Sequence, residues 1–362
     1  METAPTRRWW RRKSPWSSLR RLAAVFAIAL AIQLSACTPI HCGEQGVYLR
    51  HDPAADTLTL LVIYDSVTTP PHSPSAEGPD AKLLADHRAF AERIVAGERV
   101  FMIHGWPFVV DLESLLPPGG QDRAEEPGLP ESGAGGDAAS ADSEDPRDRI
   151  TAEALWILGG TKVLSSGFCT GSQGRLSIHQ EIRFRGISRL LELARRAVCL
   201  GVIEQLEESE ASQPDRAEAA SGRWDARTRE LMSKAAQVGR GPGEPWPWIT
   251  LGDGHLSVDV PMSQAYGATV LKFLIADLAR SESDRDLLAG LLSHLESIQL
   301  ADEHLLLRWK ADGPLFTFPE PKDFVYDGTL ARRLGASLED PPRPPTRSEI
   351  VERFLSATPK SR

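Results

Sequence analysis

The chain of 362 residues is poor in cysteine, methionine and tyrosine, with four of each. It has no C-x-x-C, no His-x-His and no His-x-x-x-His, so the ligand spacings of a structural zinc site are absent. It also lacks a phosphate-cradling glycine loop, the Rossmann glycines and an EF-hand loop, and no cofactor or metal site is expected. No apolar run reaches the roughly 20 residues needed to cross a bilayer as a helix. Positive charge is scarce too: 41 Lys and Arg stand against 50 Asp and Glu. Seven of those basic residues lie in the first 36 positions beside a single acid, Glu2, which leaves the other 326 residues at a net charge of −15. Such acidity argues against a nucleic-acid partner and against electrostatic attraction to anionic lipid.

What is present begins with the leader. Arg7, Arg8, Arg11, Arg12, Lys13, Arg20 and Arg21 precede an 11-residue apolar run over 22–32, which ends in Leu34-Ser35-Ala36-Cys37. The basic region and the short run fit a cleaved signal peptide rather than a permanent span. Leu34-Ser35-Ala36-Cys37 resembles the lipobox of bacterial lipoproteins. That resemblance covers about a tenth of the chain. It implies cleavage before Cys37, a diacylglycerol on its thiol, often an acyl chain on the new amine, and a membrane partner bound through lipid. Residue 38 is Thr. In lipoproteins of some Gram-negative bacteria an Asp there retains the protein in the inner membrane, so the resemblance favours the outer one.

Periodicity organises the rest. Residues 1–36 read as signal peptide, 37–46 as a lipidated tether, 47–340 as one α+β domain and 341–362 as a proline-rich tail with a short helix over 348–355. Strands are expected at 47–49 and 57–64 around a turn at 52–56, then over 99–112 with a break at Gly105-Trp106-Pro107, and again from 152 to 184. Hairpins follow at 249–261 and 298–310. Helical spacing marks 81–95, 187–206, 225–238, 263–279 and 284–295. Four segments place a turn residue before a Leu-x-aliphatic strand start, at Leu58, Leu176, Leu256 and Leu305. They raise the alternative of two repeats, split within 117–149 or 207–247. The fold class is α+β, with antiparallel hairpins, packed helices and disordered insertions.

Two constellations could carry chemistry. The stretch Val100 to Pro107, with His104-Gly105, resembles the oxyanion-hole strand and turn of α/β-hydrolases, and Gly167-Phe168-Cys169-Thr170-Gly171 resembles the nucleophile turn of dienelactone-hydrolase-type members. The resemblance implies Cys169 as nucleophile, His255 as its base and an acid such as Asp253 to orient the imidazole. The residues themselves read otherwise. Leu176 to Phe184 alternates with period 2, which makes 167–174 a hairpin rather than a strand-to-helix elbow, and Asp253 suits a turn. The second constellation, Trp246-Pro247-Trp248, offers either a shelf for sugar rings or the closure of a core edge. If Cys37 carries lipid, Cys42, Cys169 and Cys199 allow at most one disulfide, with three possible pairings. The reading favoured is a lipid-anchored envelope protein with a binding or structural role toward a protein or glycan. A thiol hydrolase using Cys169 and His255 is the alternative.

Residues 117–149 contain no aromatic residue and are rich in Pro, Gly, Ser, Ala and acids, too little to bury a core. Dilute protease should cut there first, and removing about 25 of these residues should leave folding intact, because loop-closure entropy changes slowly with length. Circular dichroism and a urea melt of the deletion variant check this; loss of folding would refute it.

Overall fold

Four antiparallel hairpins build the core in the computed structural model, which describes residues 40–69, 81–102, 109–115, 145–211, 224–238, 246–277, 282–320, 324–334 and 343–357. The first joins β1 (Glu44–Asp52) to β2 (Thr57–Asp65), and the second joins β5 (Lys162–Thr170) to β6 (Leu176–Arg185). The others are β7 (Ile249–Gly252) with β8 (His255–Pro261), and β9 (Leu295–Leu300) with β10 (His304–Lys310). Asp56 and Asp253 take left-handed backbone at φ 48° and 51°, and Gly254 follows at 75°. These are the residue types that tight hairpin turns demand.

The hairpins pair into two sheets of one design. The larger runs β11-β1-β2-β6-β5 and the smaller β7-β8-β10-β9. In each, two hairpins lie side by side with their second strands at the centre. Those central strands, β2, β6, β8 and β10, begin at the four Leu-x-aliphatic segments. β2 reads TLTLLVIYD because it is covered on both faces, which calls for a continuous apolar run. The fold is α+β.

On one face of the larger sheet Val62, Tyr64, Ile178 and Ile182 carry α1 (Ala81–Val95) through Phe90, Ala91 and Ile94. The small hairpin of β3 (Val100–Met102) and β4 (Val109–Asp111) joins them, with α8 (Thr329–Leu334) through Leu330. Lower on that face, Val47, Leu49, Leu58 and Leu60 meet Leu251, Leu256, Leu307 and Trp309 of the smaller sheet. Beside the smaller sheet, α4 (Ile187–Ala211) packs on α5 (Ala226–Val238) around Trp248. α6 (Gln264–Asp277) and α7 (Glu282–Leu292) lie between β8 and β9 in the chain.

Several expectations change. The strand expected from 152 is instead α3 (Pro146–Gly159), capped by Asp145, whose side chain accepts from the Arg147 N–H at 2.8 Å. Ala154, Ile157 and Leu158 bury one helical face, at a spacing that a run of four apolar residues concealed. Residues 145–149, expected to be disordered, therefore belong to the fold, and the rest of 117–149 before 145 lies outside the described residues. The break at Gly105-Trp106-Pro107 separates two strands; His104 and these three residues lie outside the description as well. Residues 40–46, expected to belong to a tether, are part of the fold: Ile40 and Cys42 are fully buried and β1 starts at Glu44, while 37–39 lie outside the described residues. One strand was not expected, β11 (Gly313–Phe318), whose second residue is Pro314. It pairs only with β1, and an edge strand tolerates proline.

The tail helix, α9 (Arg347–Ser356), is part of the core. Ile350 and Phe354 bury against Leu61, Ile63 and Cys169 on the second face of the larger sheet. Thr346 and Glu349 form a reciprocal capping box at its start. At its end Arg50 donates to the carbonyls of Phe354 (2.7 Å) and Ala357 (3.0 Å) and stacks on the Phe354 ring at 4.7 Å. The chain entering it bridges to β5, where the Thr170 N–H meets the Pro345 carbonyl at 3.0 Å.

Candidate functional site

The most densely bonded polar group of the larger sheet lies where α9 begins. Asp65 closes β2 and is fully buried. Its Oδ1 accepts from the hydroxyls of Ser66 and Ser177, both at 3.0 Å. Its Oδ2 accepts from the Ser172 hydroxyl at 2.8 Å and from the Arg347 guanidinium at 2.8 Å. The Ser172 N–H lies 3.1 and 3.2 Å from the two oxygens. The other guanidinium nitrogen of Arg347 pairs with Glu44. Burial alone would raise the Asp65 pKa; the bonds from Ser172, Arg347, Ser177 and Ser66 outweigh it and hold the carboxyl below its ordinary range.

This cluster explains the second glycine of the G-x-C-x-G stretch. A Cβ at Gly171 would stand 2.0 Å from Ser177 Oγ and 2.1 Å from Asp65 Oδ1, so only glycine lets the turn close over the carboxylate. Gly167 faces the His179 ring across the strand pair, with 3.4 Å between that ring and the place of a Cβ. The motif here is a hairpin with one close approach, at Gly171. Between its glycines, Cys169 is fully buried beneath α9. Burial, and after it the negative charge of Asp65, pushes the thiol up to about 12, against the opposing pull of Arg347.

The residues expected to act with Cys169 are elsewhere. His255 begins β8 in the other sheet, where Nδ1 meets the Asp253 carbonyl at 2.8 Å and Nε2 meets Glu296 at 2.9 Å. Asp253 serves the turn. The imidazole nearest Cys169 in the pairing is His179, whose Nε2 lies 3.3 Å from Ser165 Oγ. Burial, then the charge of Arg353, lowers its pKa to about 4, so it is neutral and a weak base. Cys42, Cys169 and Cys199 are buried in three different clusters, too dispersed to pair. Trp248 is 3% exposed and its indole donates to Cys199 Sγ at 3.3 Å, so the tryptophan pair closes a core edge. Among the described residues no group of three or more His, Cys, Asp or Glu side chains is placed to hold a metal ion.

An open groove of about 680 Å³ runs between β1 and α9. Tyr48, Val351 and Leu355 give it an apolar floor, and Arg347, Ser348 and Glu352 supply polar atoms. The volume suits a small ligand or a few side chains of a partner. Leu355 is 44% exposed there, although it belongs to a helix whose opposite side is core. Sequence reasoning missed this place because its two walls are 300 residues apart; the one available signal was an acid, Asp65, ending an apolar strand. No family model matches the chain, and comparison with curated proteins and with solved structures finds no match either.

Two outcomes follow. Asp65→Asn should lower stability by about 3–5 kcal/mol, since it leaves Arg347 partly buried beside one lost charge. Because the folded carboxyl is depressed, its contribution is complete above the ordinary carboxylate range and is lost as pH falls through the folded value. Urea melts should therefore show the variant's deficit at pH 7 shrinking toward acid pH; a constant deficit would contradict the ion pair. Cys169, for its part, should alkylate at pH 7 on the order of a thousandfold more slowly than an exposed thiol, judged from thiolate fraction. Mass spectrometry after iodoacetamide treatment measures this, and rapid stoichiometric labelling of Cys169 would restore the hydrolase.

Proposed function

We propose that this is a lipid-anchored protein of the bacterial cell envelope, with a binding or structural role toward a protein partner. The observation that carries the reading is a junction: the basic leader and apolar run end in Leu34-Ser35-Ala36-Cys37, and only three residues later Ile40 is fully buried. Among the described residues no helix is long and apolar enough to cross a membrane. The proposal places attachment in the lipid of Cys37, where each buried CH₂ contributes about 0.8 kcal/mol and two or three chains make release slow. Thr38 favours the outer membrane in a Gram-negative envelope.

A role in binding is supported by two features. The thiol that a hydrolase would need lies under a helix, with its pKa raised rather than lowered. The groove beside α9 is open and mostly apolar, whereas Trp248 of the tryptophan pair is buried and offers no face for a glycan to stack on. A protein partner therefore fits better than a sugar.

In a bacterial host the mature protein should partition into detergent and take up labelled palmitate. Cys37→Ala should abolish both and block normal cleavage. Labelling that survives in that variant would rule the anchor out.

A further inference from the structure

The end of the fold nearest Cys37 has an unusual surface. Ile40 is fully buried, and the His41 N–H and C=O bond to Thr68 at 2.8 Å each, so the chain is already fixed there. Three residues reach about 10 Å at full extension. A headgroup layer is about 5–7 Å deep. An acyl anchor at Cys37 therefore leaves only about 3–5 Å to spare, which holds this end of the larger sheet close to the headgroups.

The segment around Val325 lies at the same end. Phe324 packs on Gly43: a Cβ there would come within 3.1 Å of its ring. The Tyr326 hydroxyl accepts from the Leu176 N–H at 3.3 Å, and Asp327 accepts from the Thr68 hydroxyl at 2.9 Å. Between those two fixed rings Val325 is 66% exposed, more than any other large apolar side chain among the described residues. Arg175 stacks on Tyr326 at 5.0 Å and faces Glu320 at 3.9 Å, so charge is balanced around the apolar tip.

We propose that Phe324-Val325-Tyr326, with Arg175, is a second membrane contact that seats this end of the sheet in the headgroup layer beside the lipid of Cys37. The partner is a lipid surface, and it need not be anionic. An exposed aliphatic tip held up by two partly buried rings, with a guanidinium beside it, suits the interface of a bilayer, where apolar side chains and long cations are both accommodated. The contact would fix the molecule's orientation and turn the smaller sheet away from the membrane. The inference rests on the anchor at Cys37.

The natural arrangement of thiols permits a direct test, since Cys42, Cys169 and Cys199 are 0%, 0% and 2% exposed. Full-length precursor carrying Val325→Cys is matured in a bacterium, extracted, labelled with an NBD fluorophore and reconstituted into phosphatidylcholine vesicles. Ile298→Cys, at a site 47% exposed on the edge strand of the smaller sheet, is treated alike. The expected result is a blue-shifted emission at position 325, quenched by nitroxide-bearing lipid, and a water-like emission at 298. A water-like probe at 325 in protein that floats with the vesicles overturns the contact and leaves the anchor standing. Quenching at both positions overturns the proposed orientation. Protein that does not float at all overturns the anchor, and this inference with it.

Discussion

The pairing of Asp65 with Arg347 is the interaction on which the architecture turns. It joins a carboxylate at the end of a central strand to the first turn of the last helix, 282 positions further on. A charge buried to this degree is costly unless every lone pair is used. Here hydroxyls of Ser66, Ser172 and Ser177 complete the shell, and Gly171 supplies the space. The arrangement is directional, which hydrophobic contact is not. It sets where α9 begins, so that Ile350 and Phe354 arrive over Leu61, Ile63 and Cys169.

Helix α9 and strand β11 together close the molecule. β11 leaves the half that forms the smaller sheet and adds to β1 at the edge of the larger one. α9 then crosses the face that α1 leaves open. Each sheet on its own is a pair of hairpins with an apolar side to cover. Swapping the last strand and helix onto the first sheet makes the two halves depend on each other, and the shared cluster around Leu49, Trp309 and Leu315 lies where they meet. The groove beside α9 is a by-product of this crossing: the helix buries one side in the sheet and leaves Val351 and Leu355 lining an open edge.

The proposed function draws on the leader sequence and on the start of the described fold. The leader argues for lipid, and the buried start of the fold turns that into a constraint of distance. Where a long tether would let a domain sample any orientation, the proposed anchor at Cys37 would leave only three residues before the buried Ile40 and so would restrict it. The acidic composition is compatible with the proposed anchor, in which acyl chains rather than charge would supply the attachment. In the proposed reading the raised pKa of the buried Cys169 thiol counts against the hydrolase, and the open apolar groove beside α9 is a place for recognition.

The sequence by itself determined the local elements. Hairpins led by Asp or Gly, the helices at 81–95, 187–206 and 225–238, and the separation of a basic leader from an acidic body all follow from short-range chemistry: turn residues, side-chain period and charge. α3 escaped because a compact apolar run reads alike in strand and helix, and β11 because its proline is acceptable only at an edge that sequence does not reveal. Tertiary structure alone decided what Gly171 of the G-x-C-x-G stretch is for, since its neighbours Asp65 and Ser177 come from other strands. It alone made 343–357 part of the core rather than a tail, and placed Cys169 and His255 on separate sheets. A motif records spacing along the chain, whereas burial, pairing and pKa depend on which distant residues the fold brings across.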